Sequence, residues 1–102
     1  QEATRFAIEV PLQVMKRSLD AFEVIEAMVE KGNPNSISDA GVGALCARTA
    51  VYGAHMNVLI NLKGFKDKAY ADAVSAEARE IADKADNYER RIRQRIQQEI
   101  EK

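Results

Sequence analysis

Tryptophan is absent from this sequence, cysteine occurs once, and prolines and glycines number only two and five. A lone Cys46 forms no internal disulfide, which sets aside the disulfide-stapled secreted domains and fits a reducing cytoplasm. With so few turn formers, and no run that alternates β-branched with polar residues, there is no material for strands and hairpins. An excess of one charge is lacking too. The 15 Lys and Arg residues nearly cancel 16 Asp and Glu, leaving −1, so no overall field draws in nucleic acid or an anionic membrane. The longest charge-free run, residues 49 to 62, carries His55, Asn57 and Asn61 and falls short of the roughly 18 apolar residues of a membrane span. No signal-peptide core stands at the amino end. The first residue is Gln1 rather than methionine, as in a processed chain or a piece of a longer one.

What is present is helical periodicity over about one small domain of 102 residues. The expectation is all-α, with three long helices. The first covers roughly residues 2 to 31, where a polar stripe from Glu2 through Glu9, Lys16 and Glu23 to Glu30 recurs at steps of three and four. Two apolar rows flank it: Ala7, Val10, Val14, Ala21, Ile25 and Met28 on one side, Ile8, Leu12, Met15, Leu19, Phe22 and Val29 on the other. So wide a face touches more than one neighbour. Pro11 lacks an N–H and crowds the preceding turn, so a kink or a restart is expected there. Gly32 and Pro34 stop this helix, and Ser36 or Ser38 caps the next, which runs to about Leu62.

That second helix carries Gly41, Gly43, Ala44, Ala47, Ala50 and Gly53. Each mid-helix glycine costs ~1 kcal/mol against alanine, and close packing is the expected compensation, with Gly53 at a tight helix crossing. Its apolar residues point in all directions, the mark of a buried helix. The third helix, about Asp67 to Glu101, has a seam of Val74, Ala78, Ile81, Ala85, Tyr88, Ile92, Ile96 and Ile100, nearly of coiled-coil type. One amphipathic helix on each side does not cover a central helix that is apolar all round. The chain therefore reads as part of a larger helical bundle, completed by a missing upstream segment, a second subunit, or both. Self-association into at least a dimer follows as an expectation.

Chemistry-bearing motifs are few. No zinc motif, phosphate-binding glycine loop or nucleophile motif is present. His55 has no histidine partner for a metal and reads as a structural residue; Cys46, among alanines, reads as a small apolar side chain. No metal and no cofactor is expected. Arg90, Arg91, Arg93 and Arg95 are interleaved with Asp86, Glu89, Glu99 and Glu101, which favours a solvated, ion-paired face over phosphate binding. On the second helix, at 100° per residue, Asp39 and Asn57 share an angle, with Gly43, Cys46, Ala50 and Gly53 between them and Asn61 about 40° away. Capping by Asp39 and helix-to-helix bonds from the two asparagines explain the same pattern without a ligand.

At these residues the sequence resembles a known family. Gly32 to Gly41, GNPNSISDAG, and Tyr52 to Lys63, YGAHMNVLINLK, with Val10-Pro11-Leu12 upstream, resemble the carboxyl-terminal half of the formiminotetrahydrofolate cyclodeaminase family, which includes methenyltetrahydrofolate cyclohydrolases. The likeness runs over essentially all 102 residues, making residues 1–102 the carboxyl-terminal half of a cyclodeaminase-like helical domain. It implies an all-α cytoplasmic dimer in histidine breakdown that closes 5-formiminotetrahydrofolate to 5,10-methenyltetrahydrofolate with loss of ammonia. It also implies an upstream half bearing a Thr-Pro-Gly-Gly-Gly-Ser type segment and the catalytic aspartate. Neither is in this chain, so the expectation is a fragment inactive alone. The resemblance assigns folate contacts to Asp39, to Asn57 and Asn61, and to Lys63, with Lys66 nearby for the anionic glutamate tail. The rival readings are a cyclohydrolase and a helical assembly module without chemistry.

Overall fold

A computed structural model describes residues 2–32 and 34–102. Three α-helices follow one another: α1 (Glu2–Lys31), α2 (Ile37–Leu62) and α3 (Lys68–Ile100), with one 3-10 turn (Pro34–Ser36) before α2. No strand occurs among the described residues. The protein is all-α, and its body is a rod of 54 × 17 × 16 Å. A 33-residue helix such as α3 is about 50 Å long at 1.5 Å per residue, so α3 sets the length of the rod.

The core forms where the periodic rows meet. From α1 the row Ile8, Leu12, Met15, Phe22 and Val29 is buried; α3 contributes Val74, Ala78, Ile81, Ala82, Ala85, Ile92 and Ile96. Alanines at the middle of α3 let its backbone approach α2, and Tyr88 stacks on Phe22 with ring centroids 5.4 Å apart. At its amino end the Asp67 carboxylate accepts from the Tyr70 backbone N–H at 3.1 Å, satisfying one of the first-turn donors. Between α2 and α3, Gly64 takes φ +78, a left-handed conformation that glycine adopts at no steric cost. The other apolar row of α1 behaves differently: Val10, Val14 and Met28 are exposed.

Of the kink or restart expected at Pro11, the restart does not occur: α1 is one continuous helix with Pro11 inside it. A proline at this position withholds the N–H that would bond the carbonyl four residues back, here that of Ala7. Asn61 of α2 repairs the defect: its side-chain amide donates to the Ala7 carbonyl at 3.4 Å and to the Asn57 carbonyl at 2.8 Å. One expectation is corrected, that Gly53 lies at a tight crossing within the chain. A Cβ there would meet nothing within 4 Å, whereas one at Gly41 would stand 2.8 Å from Ile96 Cδ1 and one at Gly43 would stand 3.7 Å from Ile25 Cδ1. The crossings within this chain are thus at Gly41, against α3, and Gly43, against α1. As expected of a helix apolar all round with one helix on each side, α2 is left with one side facing solvent: Val42, Leu45, Met56, Leu59 and Ile60 are all exposed.

The Pro11–Asn61 pairing is measurable. Asn61→Ala leaves the Ala7 carbonyl without its donor and is expected to cost about 1–3 kcal/mol. In a Pro11→Ala background the restored N–H reclaims that carbonyl, so the same change costs less. A double-mutant cycle by urea denaturation should give a coupling of about 0.5 kcal/mol or more; strict additivity would show that the two residues act independently.

Candidate functional site

Of the residues proposed from the sequence for ligand contact, Asp39 and Asn57 sit on the solvent-facing side of α2, Asn61 faces α1 and Lys63 follows the helix. At 100° per residue, α1 packs on the side bearing Gly43 and Asn61, α3 packs on the side bearing Gly41 and His55, and the remaining side carries Asp39, Val42, Cys46, Gly53, Asn57 and Ile60. The small-residue stripe is therefore only partly used inside the chain. Asp39, in the first turn of α2, is exposed, and the N-cap of this helix is Ser36, so Asp39 meets the helix through its dipole. Asn57 is exposed as well. Asp39 and Asn57 are 18 residues apart on one helix, about 27 Å. One chain does not bring them together.

Lys63 follows α2 as its C-cap. With Lys66 and Lys68 it lines an open groove of about 460 Å³ under the α2–α3 connection, shared with Leu59, Phe65 and Asp72. None of the three lysines forms an ion pair among the described residues, so their charge is available to an anion. Of the four candidates, Lys63 alone lines this groove. Asn61 has its amide committed to Ala7 and Asn57, leaving its carbonyl oxygen for other partners.

Several interactions have no sequence signal at this separation. Asp86 of α3 accepts from Arg48 Nε at 2.9 Å and from the Tyr52 hydroxyl. The Tyr52 hydroxyl donating into it, followed by Arg48, holds the Asp86 carboxyl below its ordinary range, while the Tyr52 hydroxyl is pushed up, first by that same hydrogen bond. The cluster clasps α2 to α3. Glu89, read from the sequence as part of a solvated face, is only 3% exposed and is held by Arg93 through two hydrogen bonds of 2.9 and 3.2 Å. Two of the other arginines do behave as an ion-paired surface, but across helices: Arg91 reaches Glu26 at 3.3 Å and Arg95 reaches Glu30 at 3.0 Å, tying α3 to α1, while Arg90 donates to the Asn87 side chain. Among the described residues no group of three or more His, Cys, Asp or Glu could hold a metal ion, and no helix is long and apolar enough to cross a membrane.

His55 is 8% exposed, between α2 and α3. Burial, and then Arg79, push its pKa below the ordinary value, with Asp83 opposing. A histidine lowered in the fold binds its proton more readily when unfolded, so stability is full above about pH 6.5 and is lost as the pH falls below it. As the only histidine of the chain, it should dominate the slope of melting temperature between pH 7 and 5.5. That slope is expected to be positive, and His55→Gln should flatten it.

Residues 1–80 match the family described as formiminotransferase-cyclodeaminase. The chain belongs to that family. The match ends inside α3, so residues 81–102, with the arginine cluster, lie outside it. Relatives of two kinds align with this family member. A methenyltetrahydrofolate cyclohydrolase of Methylorubrum extorquens is 42% identical over 71% of the chain and 35% of its own length. The formimidoyltransferase-cyclodeaminase of Dictyostelium discoideum is 39% identical over 78% of the chain and 15% of its own length, and that of Rattus norvegicus is 35% identical over 71% and 13%. The chain thus spans about a third of the cyclohydrolase and about a seventh of the two larger proteins.

Proposed function

We propose that this chain is the carboxyl-terminal part of a folate-processing helical domain that closes 5-formiminotetrahydrofolate to 5,10-methenyltetrahydrofolate and releases ammonia, a step of histidine breakdown. The observation that supports this most is that the family match takes in every candidate contact, Asp39, Asn57, Asn61 and Lys63. Asp39 offers an exposed carboxylate able to receive two N–H donors of a pterin side by side. Lys63 and Lys66 offer unpaired charge to the glutamate tail. Asn57 presents an amide on the same side as Asp39, and Asn61 its remaining carbonyl oxygen.

In the reaction N10 attacks the formimino carbon and gives up its proton, the bond from that carbon to the terminal nitrogen breaks, and the nitrogen leaves as ammonia after gaining two protons, one balancing that lost by N10 and one from an acid, which leaves the methenyl cation. An acid with a tuned pKa must deliver that proton. The solvent-facing side of α2 supplies Asp39 as a carboxylate but no acid beside it, so the proton donor belongs to the part of the domain that this chain does not contain. A second reading, methenyltetrahydrofolate cyclohydrolase, is favoured by the 42% identity to a protein of that name; there water adds to the methenyl carbon instead.

Two measurements test the proposal. Equilibrium dialysis of the chain against 5,10-methenyltetrahydrofolate should show saturable retention, weakened by Lys63→Ala; retention absent, or equal for tetrahydrofolate and an unrelated dicarboxylate, would overturn it. In the whole protein, ammonia release from 5-formiminotetrahydrofolate identifies the cyclodeaminase, and conversion of the methenyl to the 10-formyl compound without ammonia identifies the cyclohydrolase.

A further inference from the structure

We propose that the last turns of α3 form a brace that positions Asp39: Ile96 seats on Gly41, at the back of the start of α2, while Arg91 and Arg95 fix this stretch of α3 to the end of α1. Its service to a ligand rests on the reading of Asp39 given above. The bracing of the turn does not.

Side-chain pairs set the directions of the helices. Glu9 meets Tyr70, Lys16 meets Glu77, Phe22 meets Tyr88, Glu26 meets Arg91 and Glu30 meets Arg95, so α1 and α3 run parallel and in step. Between α2 and α3 the order reverses, with Asp86 meeting Tyr52 and Arg48, and Ile96 meeting Gly41. The end of α1, the start of α2 and the end of α3 therefore come together at one end of the rod. Asp39 is carried there, on the first turn of α2. The part of α3 at this end lies beyond residue 80, where the family match stops, so the match assigns it no role.

The start of a helix is weakly held by its own hydrogen bonds, because its first four N–H groups have no partner within the helix. Where the first turn stands then depends on what it packs on. Ile37 and Ala40 in that turn are buried. Behind them, the missing side chain at Gly41 lets Ile96 come in so far that a Cβ would stand 2.8 Å from its Cδ1. Ile96 is itself buried, as is Ile92 one turn earlier, so this contact belongs to the core. At 100° per residue Asp39 stands about 160° round α2 from Gly41. Ile96 thus presses on the side of the helix opposite Asp39, which leaves the carboxylate exposed and its backbone supported.

Ion pairs hold the brace in register. Arg91 donates two hydrogen bonds of 3.3 Å to Glu26 and lies over the Tyr88 ring, 4.8 Å from its centre. One turn on, Arg95 meets Glu30 at 3.0 Å. Pairs as exposed as these add little stability singly. Their effect is on position: two in successive turns oppose a slide of α3 along α1, and such a slide would carry Ile96 off Gly41.

Amide hydrogen exchange and a double-mutant cycle test the brace. In the chain, Ile96→Ala is expected to speed exchange of the amides from Gly41 to Leu45 about tenfold, well beyond any change from Met56 to Ile60 at the other end of α2. Ile96→Val keeps the β-branched stem in the core and should retain most of the protection, so the comparison survives if the alanine variant folds poorly. A uniform increase along α2, or none at its start, would overturn the brace. In the whole protein, Ile96→Ala should weaken binding of 5,10-methenyltetrahydrofolate at least about threefold, and should add nothing when Asp39 is already Asn. An equal loss in both backgrounds would show that Ile96 serves the fold at large and would overturn the positioning role. So would an affinity that Ile96→Ala leaves unmoved while Asp39→Asn lowers it. An affinity unchanged by Asp39→Asn defeats the ligand reading of Asp39 instead, and the exchange pattern then decides the brace by itself.

Discussion

Phe22→Ala is expected to remove a large part of the stability of this chain. Phe22 is fully buried, in the α1 row that meets α2 and α3, and its ring stacks on Tyr88 of α3. Truncation deletes the transfer free energy of the ring, the stacking contact, and the packing of the walls around the void, together about 3–5 kcal/mol. A domain of this size holds about 5–15 kcal/mol in all, and a rod 16 to 17 Å across has no second layer to collapse into the gap. The urea midpoint should fall by at least about a fifth, and by half or more from a total near the low end of that range, or the transition should lose cooperativity. Tyr88→Ala leaves the Phe22 ring in place at a half-buried site and should cost distinctly less; equal losses would show that the stack, rather than the burial of Phe22, carries the energy.

The helices and the inner face of α1 were legible in the sequence because periodicity determines them: α1 ends where Gly32 and Pro34 place the break, α2 ends at Leu62 where its pattern stops, and Ile8, Leu12, Met15, Phe22 and Val29 are buried as their spacing requires. The sequence pattern was silent where a defect in one helix is repaired from another. Pro11 taken alone argues for a break, and only the approach of Asn61, 50 residues later, shows why α1 continues. The same holds for Asp86, whose partners Arg48 and Tyr52 lie on a different helix, and for Glu89, whose burial depends on how α3 rotates against its neighbours. The small residues of α2 were read correctly as a packing surface, but composition does not tell which neighbour they serve. Gly41 and Gly43 serve α3 and α1, while Gly53 points outward.

Asn61 illustrates why motif residues resist assignment from sequence. Its amide ties α2 to the carbonyl that Pro11 leaves unpaired, so a structural duty explains why the Val10-Pro11-Leu12 segment and the asparagine run occur in one chain. Loss of ligand binding on changing Asn61 would therefore mix two effects. Asp39 is the cleaner probe, because among the described residues no hydrogen bond is made to its side chain and the N-cap is Ser36.

Replacing Asp39 by Asn in the whole protein is expected to lower folate affinity or turnover by one to two powers of ten with the fold intact. On the stability side only an exposed charge near the amino end of α2 is lost, a fraction of a kcal/mol. Asn, moreover, remains compatible with a first turn. On the binding side the swap removes the negative charge and turns one acceptor into a donor that faces other donors. The loss of a charge-assisted bond of this kind is about 1.5–3 kcal/mol, which converts at 1.4 kcal/mol per factor of ten. The measurement is methenyltetrahydrofolate formation beside the melting temperature, for Asp39→Asn and Asp39→Glu together. Glu keeps the charge and both acceptors on a longer stem, so it should recover part of the loss. Kinetics unchanged in Asp39→Asn would take Asp39 out of the site, and equal losses for Asn and Glu would show that side-chain length, rather than charge and acceptor pattern, is what the site requires.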